Sequence, residues 1–322
     1  MPFAARRIGL LIRPHMDARM GANVQGPSLI RVPDWLPDPL GRYYLYFADH
    51  KGRYIRLAVA DAIEGPWRMH EPGSLTLEDS LFPTVAPAEE PGTTPDRLAG
   101  TAPPGTPGVE DPDTDGRQPH IASPDVHVDH ANRRIVMYYH GLEGWRTQRT
   151  RAATSPDGLR FSALPELLGP SYFRVFAHGG ATYALAMPGL ILRSADGMRG
   201  FERGPRLFLD GLQRHTAVLV RGDTLHVFWT RVTDAPERIL HSTVSLAGDW
   251  RGWVAEGEAE VLRPETDYEG GHLPLEGSWR GAVHVPVRQL RDPCVFEEDG
   301  RLFLLYAVQG ESGIALAELE ER

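Results

Sequence analysis

Three side chains that can exchange protons lie at or just before the start of a predicted innermost strand: Asp125, His215 and Asp292. Carboxyl and imidazole groups supply general acid and base catalysis, and imidazole titrates near neutral pH. A fourth candidate, Glu269, lies in a predicted loop with aromatic and histidine residues, and such loops often line binding sites. Structural alternatives stay open here. The aspartates could cap backbone amides, His215 could be a hydrogen-bonded channel histidine, and Glu269 could lie in a solvated acidic loop.

Several polar side chains near the same strand starts are candidates for binding a ligand. Amides bind hydroxyls or orient water but cannot take a proton. Arginines can clamp an anionic or polyhydroxylated ligand, with a structural ion pair as the equal alternative. Histidines that close the second strands could approach the same centre or bind a metal with water. The predicted ligand-binding residues are Asn23, Gln25, His50, His120, His140, Arg174, Glu276 and Arg291.

A repeated pattern predicts how these residues are brought together. Five times, an apolar run rich in β-branched and aromatic residues follows a tight turn and is flanked by shorter runs. Units at roughly 40-residue spacing indicate blades, so the sequence predicts an all-β, five-bladed β-propeller whose innermost strands converge on one axis. The central runs are Tyr43–Ala48, Ile135–His140, Thr182–Met187, Thr224–Thr230 and Leu302–Val308. The predicted inner strands are Ser28–Val32, Asp125–Val128, Tyr172–Phe176, Ala217–Val220 and Cys294–Phe296.

Length and composition predict one domain, 1–322, with two insertions. The 322 residues are 41% hydrophobic, which is ample for a packed core. The first insertion, about 83–118, is dense in Pro, Gly, Thr, Asp and Glu; we expect it to be exposed and partly mobile, with an interdomain linker as the weaker alternative. The second, about 263–288, is predicted to line the site. The run Ile8–Ile12 is predicted to pair near the C-terminal strands, because an open edge would otherwise face solvent.

Composition also excludes some classes of function. The net charge is −9 and no Lys/Arg cluster stands out, which argues against nucleic acid as a partner. Cys294 is the only cysteine, so no internal disulfide can form. No apolar run approaches the ~18 residues of a membrane span or has the form of a signal peptide. We therefore expect a soluble, cytoplasmic protein without a membrane partner, and the sequence carries no signal for its oligomeric state.

The openings of three blades resemble glycoside hydrolase family 43. The motifs are G-P-S-L-I at 26–30, A-S-P-D-V at 122–126 and R-D-P at 291–293. The wider group includes families 32, 62, 68 and 117, which are five-bladed propellers that act on furanosides, fructosides or related sugars. The resemblance covers most of the chain at blade level and implies a small carbohydrate as partner. It also implies roles: Asp292 is similar to a family 32 aspartate that binds sugar hydroxyls, and Asp125 to a site-supporting aspartate of family 43.

The chain differs from family 43 at the three usual catalytic positions. The base aspartate of an Asp-Pro step in blade one is replaced by Gly26. A second aspartate, which tunes the acid from an Asp-Pro step in blade three, is replaced by Gly169. His215 stands where the acid glutamate opens blade four. Family 117 is known to use a histidine as its acid, so the resemblance leaves that role open for His215.

The first hypothesis is a glycoside hydrolase that acts on the terminal sugar of a small glycoside or oligosaccharide in a central pocket. Asp292 would hold sugar hydroxyls, while Asp125 and His215 would share acid–base catalysis, with Glu269 as a further candidate. The second hypothesis is a non-catalytic carbohydrate-binding propeller that has lost the acid triad, and the third is a propeller used for protein interaction. No cofactor is expected to be required; a structural calcium ion in the central channel is left open, because family 43 arabinanases often hold one near a channel histidine.

Overall fold

Five four-stranded antiparallel sheets form the part of the chain that the structure describes. The computed structural model describes residues 3–89, 98–103, 105–106, 109, 114 and 116–321. The strands are β1 (Phe3–Ile12), β2 (Gln25–Arg31), β3 (Tyr43–Ala48), β4 (Tyr54–Ala60), β5 (Arg68–Thr76), β6 (Ile121–Asp129), β7 (Arg134–Gly144), β8 (Thr147–Ser155), β9 (Ser162–Ala163), β10 (Arg174–His178), β11 (Ala181–Ala186), β12 (Leu190–Ser194), β13 (Glu202–Arg206), β14 (Gln213–Arg221), β15 (Thr224–Arg231), β16 (Ile239–Ser245), β17 (Glu256–Leu262), β18 (Arg291–Glu298), β19 (Arg301–Ala307) and β20 (Ile314–Glu321). The predicted all-β, five-bladed propeller is confirmed.

The core lies between neighbouring blades, since each sheet packs both of its faces against other sheets. All six residues of β3 are buried, and Tyr44 and Tyr46 share one apolar cluster with Ile135 and Tyr139 of the next blade. Aromatic and β-branched side chains suit this pleated, two-sided burial. Two short 3₁₀ turns, Trp250–Gly252 and Asp267–Glu269, interrupt the loops. Within the described ranges, no helix is long and apolar enough to cross a membrane.

The N-terminal strand closes the ring. In the fifth blade the strand order is β1-β20-β19-β18, so β1 is the outermost strand of the last blade. Its register with β20 runs from Phe3 opposite Glu321 to Ile12 opposite Ile314. The predicted pairing of Ile8–Ile12 near the C-terminal strands is confirmed. An edge that would expose unpaired backbone groups on β20 is covered in this way.

Four inner strands begin earlier than predicted, because each carries a two-residue bulge near its start. Pairing of β18 with β19 skips from Arg291 to Cys294, and β2, β6 and β14 skip two residues in the same way. The skipped pairs are Gly26-Pro27, Ser123-Pro124, Arg214-His215 and Asp292-Pro293. A bulge leaves residues outside the ladder and redirects their side chains. Asp292 and His215 therefore lie in bulges near the N-terminal ends of their inner strands, and we call this region of the blades the inlet.

The insertions contact each other and one inner strand. Thr101 of the first insertion forms a bridge with Arg280 of the second. The Arg280 guanidinium donates to the carbonyls of Ala99 and of Gln213, the first residue of β14. Of the first insertion, Ala102 is buried, which differs from the expected exposure, whereas 84–86 are exposed as expected. Part of 83–118, namely residues 90–97, 104, 107–108, 110–113 and 115, lies outside the described residues, and the mobility predicted for the insertion stays a prediction.

Glu269 ties the closing strand to the last blade, a structural role beside the catalytic one, which stays a prediction. One carboxylate oxygen accepts hydrogen bonds from Arg7 of β1 and Tyr306 of β19, each at 2.9 Å. The other accepts from the backbone amides of Glu265 and Thr266. Burial would raise the pKa of Glu269, but the guanidinium and the amides outweigh it and hold the pKa below its usual range. Both oxygens are engaged in structural bonds, so we assign Glu269 to ring closure.

Substitution of Glu269 by Ala should destabilise the ring, because it leaves Arg7, Tyr306 and two backbone amides without their acceptor. We expect a loss of about 3 kcal/mol in the free energy of unfolding, measured by urea denaturation. The matched control is Glu276→Ala in the same loop, where the side chain is exposed and a change below about 0.5 kcal/mol is expected. Equal stabilities of the two variants would contradict the assignment.

Candidate active site

Five buried side chains line up around the inlet end of the axis, and we call them the axial cluster: His120, His140, Tyr172, His215 and Asp292. The ring centroids of His120 and His140 lie 6.1 Å apart, those of His140 and Tyr172 6.4 Å, and those of Tyr172 and His215 5.1 Å. Asp292 completes the series through its contacts with Tyr172 and His215. None of the five is more than 7% exposed.

Asp292 is the carboxyl group of the cluster. It takes a left-handed backbone conformation in its bulge, with φ at 47°. Its Oδ1 accepts the Tyr172 hydroxyl at 2.8 Å and lies 3.5 Å from Nε2 of His215, whereas its buried Oδ2 has no partner among the described residues. Burial, helped by the nearby Glu311 charge, raises the pKa of Asp292 to about 6. The group can therefore hold a proton at mildly acidic pH and release it near neutrality.

His215 is a neutral imidazole beside this carboxyl group. Burial is the main cause that holds the pKa of His215 well below the usual range, and the charges of Arg214 and Arg291 lower it further. Its Nδ1 is buried without a partner in the described part of the chain. Because a neutral imidazole can accept a proton at an unpaired nitrogen, the pair combines a protonatable acid with a proton acceptor.

Tyr172 and Arg174 complete the inlet, and Tyr172 was not among the predicted site residues. Tyr172 has φ at 66°, a conformation that bulky residues rarely take. The Arg174 guanidinium lies 4.2 Å over its ring and donates to backbone carbonyls, while Nη2 has no partner among the residues described. One feature of the sequence could have indicated Tyr172. It lies two residues before Arg174, where β10 begins, just as Asp292 lies two residues before Cys294, where the pairing of β18 resumes. Gly169 instead pairs with Thr150 at the edge of β8, so it is not the blade-three inlet residue.

Asp125 lies outside the axial cluster and serves the contact between blades. Its Oδ2 accepts the backbone amide of Val175 at 2.7 Å and the imidazole Nε2 of His127 at 2.9 Å. In the preceding blade, Oγ of Ser28 accepts the amide of Val126 in the same manner. Burial would raise the pKa of Asp125, but the His127 charge and these hydrogen bonds outweigh it and lower the pKa. These contacts of Oδ2 fit the backbone-capping alternative, and the acid–base role of Asp125 stays a prediction.

A buried ion network supports the cluster from behind. Arg291 Nη1 donates to Glu311 at 2.7 Å, and Arg214 Nη1 donates to Glu237 at 3.1 Å. Asn23 Nδ2 donates to Glu311 at 2.7 Å, and His50 Nδ1 lies 2.9 Å from the same carboxylate. The pKa of Glu311 is strongly lowered: burial opposes this, but His50 and the two guanidinium groups prevail. The structure therefore gives Arg291, Asn23 and His50 supporting contacts, and neither Glu237 nor Glu311 was among the predicted residues.

The remaining predicted residues divide between inlet and surface. Gln25 is buried, and its Oε1 accepts from the Ser123 hydroxyl at 3.4 Å. Glu276 is exposed. His120 Nδ1 lies 2.7 Å from the Gln118 carbonyl, so this nitrogen carries the proton and the buried Nε2, without a partner among the described residues, is an acceptor. His120, His140, Arg174 and His215 thus join Asp292 at the inlet.

The described residues provide no calcium ligand set. Three or more His, Cys, Asp or Glu side chains in an arrangement able to hold a metal ion are not found among them. Acids near the axis are bound to arginines, histidines or backbone amides, as Glu311 and Asp125 show.

Glycoside hydrolases are among the solved structures that share this fold. The catalytic domain of Coprinopsis cinerea GH62 α-L-arabinofuranosidase superposes with a TM-score of 0.60 at 14% identity, covering 98% of this chain and 97% of that one. A GH43 β-xylosidase/α-arabinofuranosidase from a compost microbial metagenome, in complex with xylotriose, gives a TM-score of 0.54 at 13% identity and covers 98% and 94%. At these identities the likeness establishes the fold alone.

One sequence relative covers most of the chain. The uncharacterized protein R118 of Acanthamoeba polyphaga mimivirus is 36% identical over 322 residues, which span 92% of this chain and 83% of that protein. No protein-family model matches the sequence.

The raised pKa of Asp292 predicts a stability penalty that depends on pH. The unfolded carboxyl ionises near pH 4 and the folded one near pH 6, so stability falls as pH rises through this window and stays lower above it. The Asp292→Asn variant lacks this penalty. At pH 8 it should exceed the native chain by up to about 3 kcal/mol in urea unfolding, with the gain vanishing near pH 4.

Asp125→Asn is the matched comparison with the opposite sign. Because the pKa of Asp125 is lowered in the folded chain, its charge stabilises the fold above the unfolded pKa. This variant should lose stability at pH 8 relative to the native chain. A stability loss at pH 8 in both variants would refute the assignment of Asp292 as the penalised carboxyl group.

Proposed function

We propose that this chain, which belongs to the same family as mimivirus protein R118, hydrolyses the glycosidic bond of a terminal sugar in a small glycoside or oligosaccharide. Its fold, which is that of propeller glycoside hydrolases, supports the proposal. The structural neighbours act on arabinofuranosides and xylosides by their own descriptions. The proposal for this chain is supported by its axial cluster.

The observation that carries the proposal is the state of Asp292. Its carboxyl group is buried at the inlet with one oxygen unpaired among the described residues and a pKa raised to about 6. Glycoside hydrolysis requires a group that protonates the leaving oxygen, and burial is the usual means of keeping such an acid protonated. Asp292 would donate the proton from Oδ2 to the glycosidic oxygen as the bond to the anomeric carbon breaks.

His215 would take the complementary part. The unpaired Nδ1 of its neutral ring can accept a proton from the attacking water, whose oxygen joins the anomeric carbon. The proton gained at Nδ1 of His215 balances the one given from Oδ2 of Asp292, and exchange with water returns both groups to their starting states. The products are the free sugar and the alcohol of the leaving group, and no co-reactant besides water is needed.

The other unpaired polar atoms suit a polyhydroxylated ligand. Nε2 of His120, Nδ1 of His140 and Nη2 of Arg174 are buried and have no partner within the described residues. Buried polar atoms normally have hydrogen-bond partners, and sugar hydroxyls can both donate and accept.

A specific observation also favours a non-catalytic sugar-binding propeller. Gly26 occupies the blade-one inlet, where the adjacent blade leaves little room: an added Cβ would lie 3.0 Å from Cα of Ser123. Among the contacts of the described residues, no second carboxylate touches Asp292 or His215. Such a protein would bind the same ligands without cleaving them.

Turnover should depend on Asp292 and fall at alkaline pH. In a screen of aryl glycosides, kcat/KM is expected to decline above about pH 6 with the loss of one proton. Asp292→Asn should lower kcat by about 10²–10⁴, the usual contribution of a general acid, with substrate binding retained. The control Glu256→Gln, on the outermost strand β17, changes an exposed carboxylate to an amide of the same size and should keep full activity.

Calorimetry with monosaccharides separates the two functions. Binding in the native chain without turnover on any glycoside favours the non-catalytic propeller. Full activity of Asp292→Asn would refute the acid assignment. A native chain that neither hydrolyses any aryl glycoside nor binds any monosaccharide would refute both functions.

A further inference from the structure

The two oxygens of Asp292 are not equivalent. Oδ1 accepts the Tyr172 hydroxyl at 2.8 Å and also lies 3.5 Å from Nε2 of His215. Oδ2 is buried and has no partner in the described part of the chain. A proton on Oδ1 would oppose the donated hydroxyl proton of Tyr172, so the protonated group carries its hydrogen on Oδ2.

Tyr172 is held rigidly for this contact. Its backbone is in the left-handed region at φ 66°, its ring packs 5.1 Å from that of His215, and the Arg174 guanidinium covers the ring at 4.2 Å. A bulky residue kept in a sparsely populated backbone conformation must be fixed by its surroundings, and such residues cluster at functional sites. The hydroxyl cannot leave Oδ1 without a change in the packing of the inlet.

We propose that Tyr172 is a positioning residue that holds Oδ1 of Asp292 and leaves the transferable proton on Oδ2. The inference deepens the proposed function, on which it rests for the use of that proton. The hydroxyl donates to the carboxylate more strongly than to the neutral acid, so it also limits how far burial moves the titration of Asp292 upward. Tyr172 thus sets both the identity of the donor oxygen and the pH range in which it is loaded.

Other charges face Asp292 from the packed elements and stay constant in the test. Glu311 acts against ionisation, whereas Arg214 and Arg174 favour it. His215 stays neutral, because burial and the Arg214 and Arg291 charges hold its pKa well below the usual range. The groups to be kept unchanged are Arg174, Arg214, His215 and Glu311.

The test is a titration of Asp292 in the full chain by ¹³C NMR of labelled aspartate carboxyl carbons. The Asp292 resonance is identified by its absence from the Asp292→Asn spectrum. Tyr172→Phe removes the hydroxyl alone, and its Asp292 midpoint should rise by about 1 pH unit above that of the native chain. The alkaline limb of kcat/KM should move by the same amount. An unchanged midpoint overturns the proposal.

Two further proteins keep the result interpretable. The control Tyr139→Phe removes another buried hydroxyl, which donates to the Ser80 carbonyl between blades one and two, and should leave the Asp292 midpoint unchanged. Replacement of Tyr172 by 3,5-difluorotyrosine retains the ring and strengthens the donor, so the midpoint should fall; this protein serves if the phenylalanine variant does not fold. A midpoint that fails to fall there overturns the proposal equally.

The NMR titration needs no turnover, so the two proposals can fail separately. A shifted midpoint in a chain without any glycosidase activity supports the role of Tyr172 and refutes the enzyme function. An active enzyme whose Asp292 midpoint ignores Tyr172 supports the function and refutes the positioning role.

Discussion

The two-residue bulge near the start of the inner strands is the constraint on which the site depends. A regular strand would alternate its side chains between the two faces of the sheet and lock each residue into the ladder. The bulge instead frees Asp292 from pairing and gives it a left-handed backbone. Ser123 and Gly26 take the same conformation in their own blades. One local irregularity, repeated around the ring, thereby delivers side chains from different blades to one inlet.

Charge compensation then separates structural acids from the reactive one. The Glu311 carboxylate contacts Arg291, Asn23 and His50, and these contacts keep it ionised. Asp292 accepts one hydroxyl hydrogen bond and lies beside a neutral imidazole. Its ionised form is therefore penalised by burial and only weakly stabilised by its partners. A site that needs a proton donor near neutral pH gains it from such incomplete compensation. The same incompleteness makes Asp292 unfavourable to the fold, which is the usual relation between reactive groups and stability.

The sequence predicted the ring but only part of the site, for physical reasons. The repeated apolar runs and the pairing of Ile8–Ile12 follow from local patterns, and both appear in the structure. His215 and Asp292 were found because their blade openings resemble a known family. Tyr172 was missed because its role depends on a left-handed backbone conformation, for which its place two residues before Arg174 is the only signal in the sequence. The structural contacts of Glu269 and Asp125 were not predicted, because the sequence does not show whether a carboxylate in a loop or strand faces a ligand or a backbone amide.

The position of β1 has a consequence for how the chain is made. Its partner β20 is synthesised only after the other four blades, so Phe3–Ile12 must wait for Ile314–Glu321 before its backbone can pair. During that interval β1 is an unprotected strand, and the fifth sheet lacks an edge. Among the described strand pairs, this one joins residues furthest apart along the chain and carries the largest loop-closure entropy. Translation that stops before β20 would therefore leave β1 unpaired and the ring open, so the pairing of β1 with β20 must follow the synthesis of all other strands.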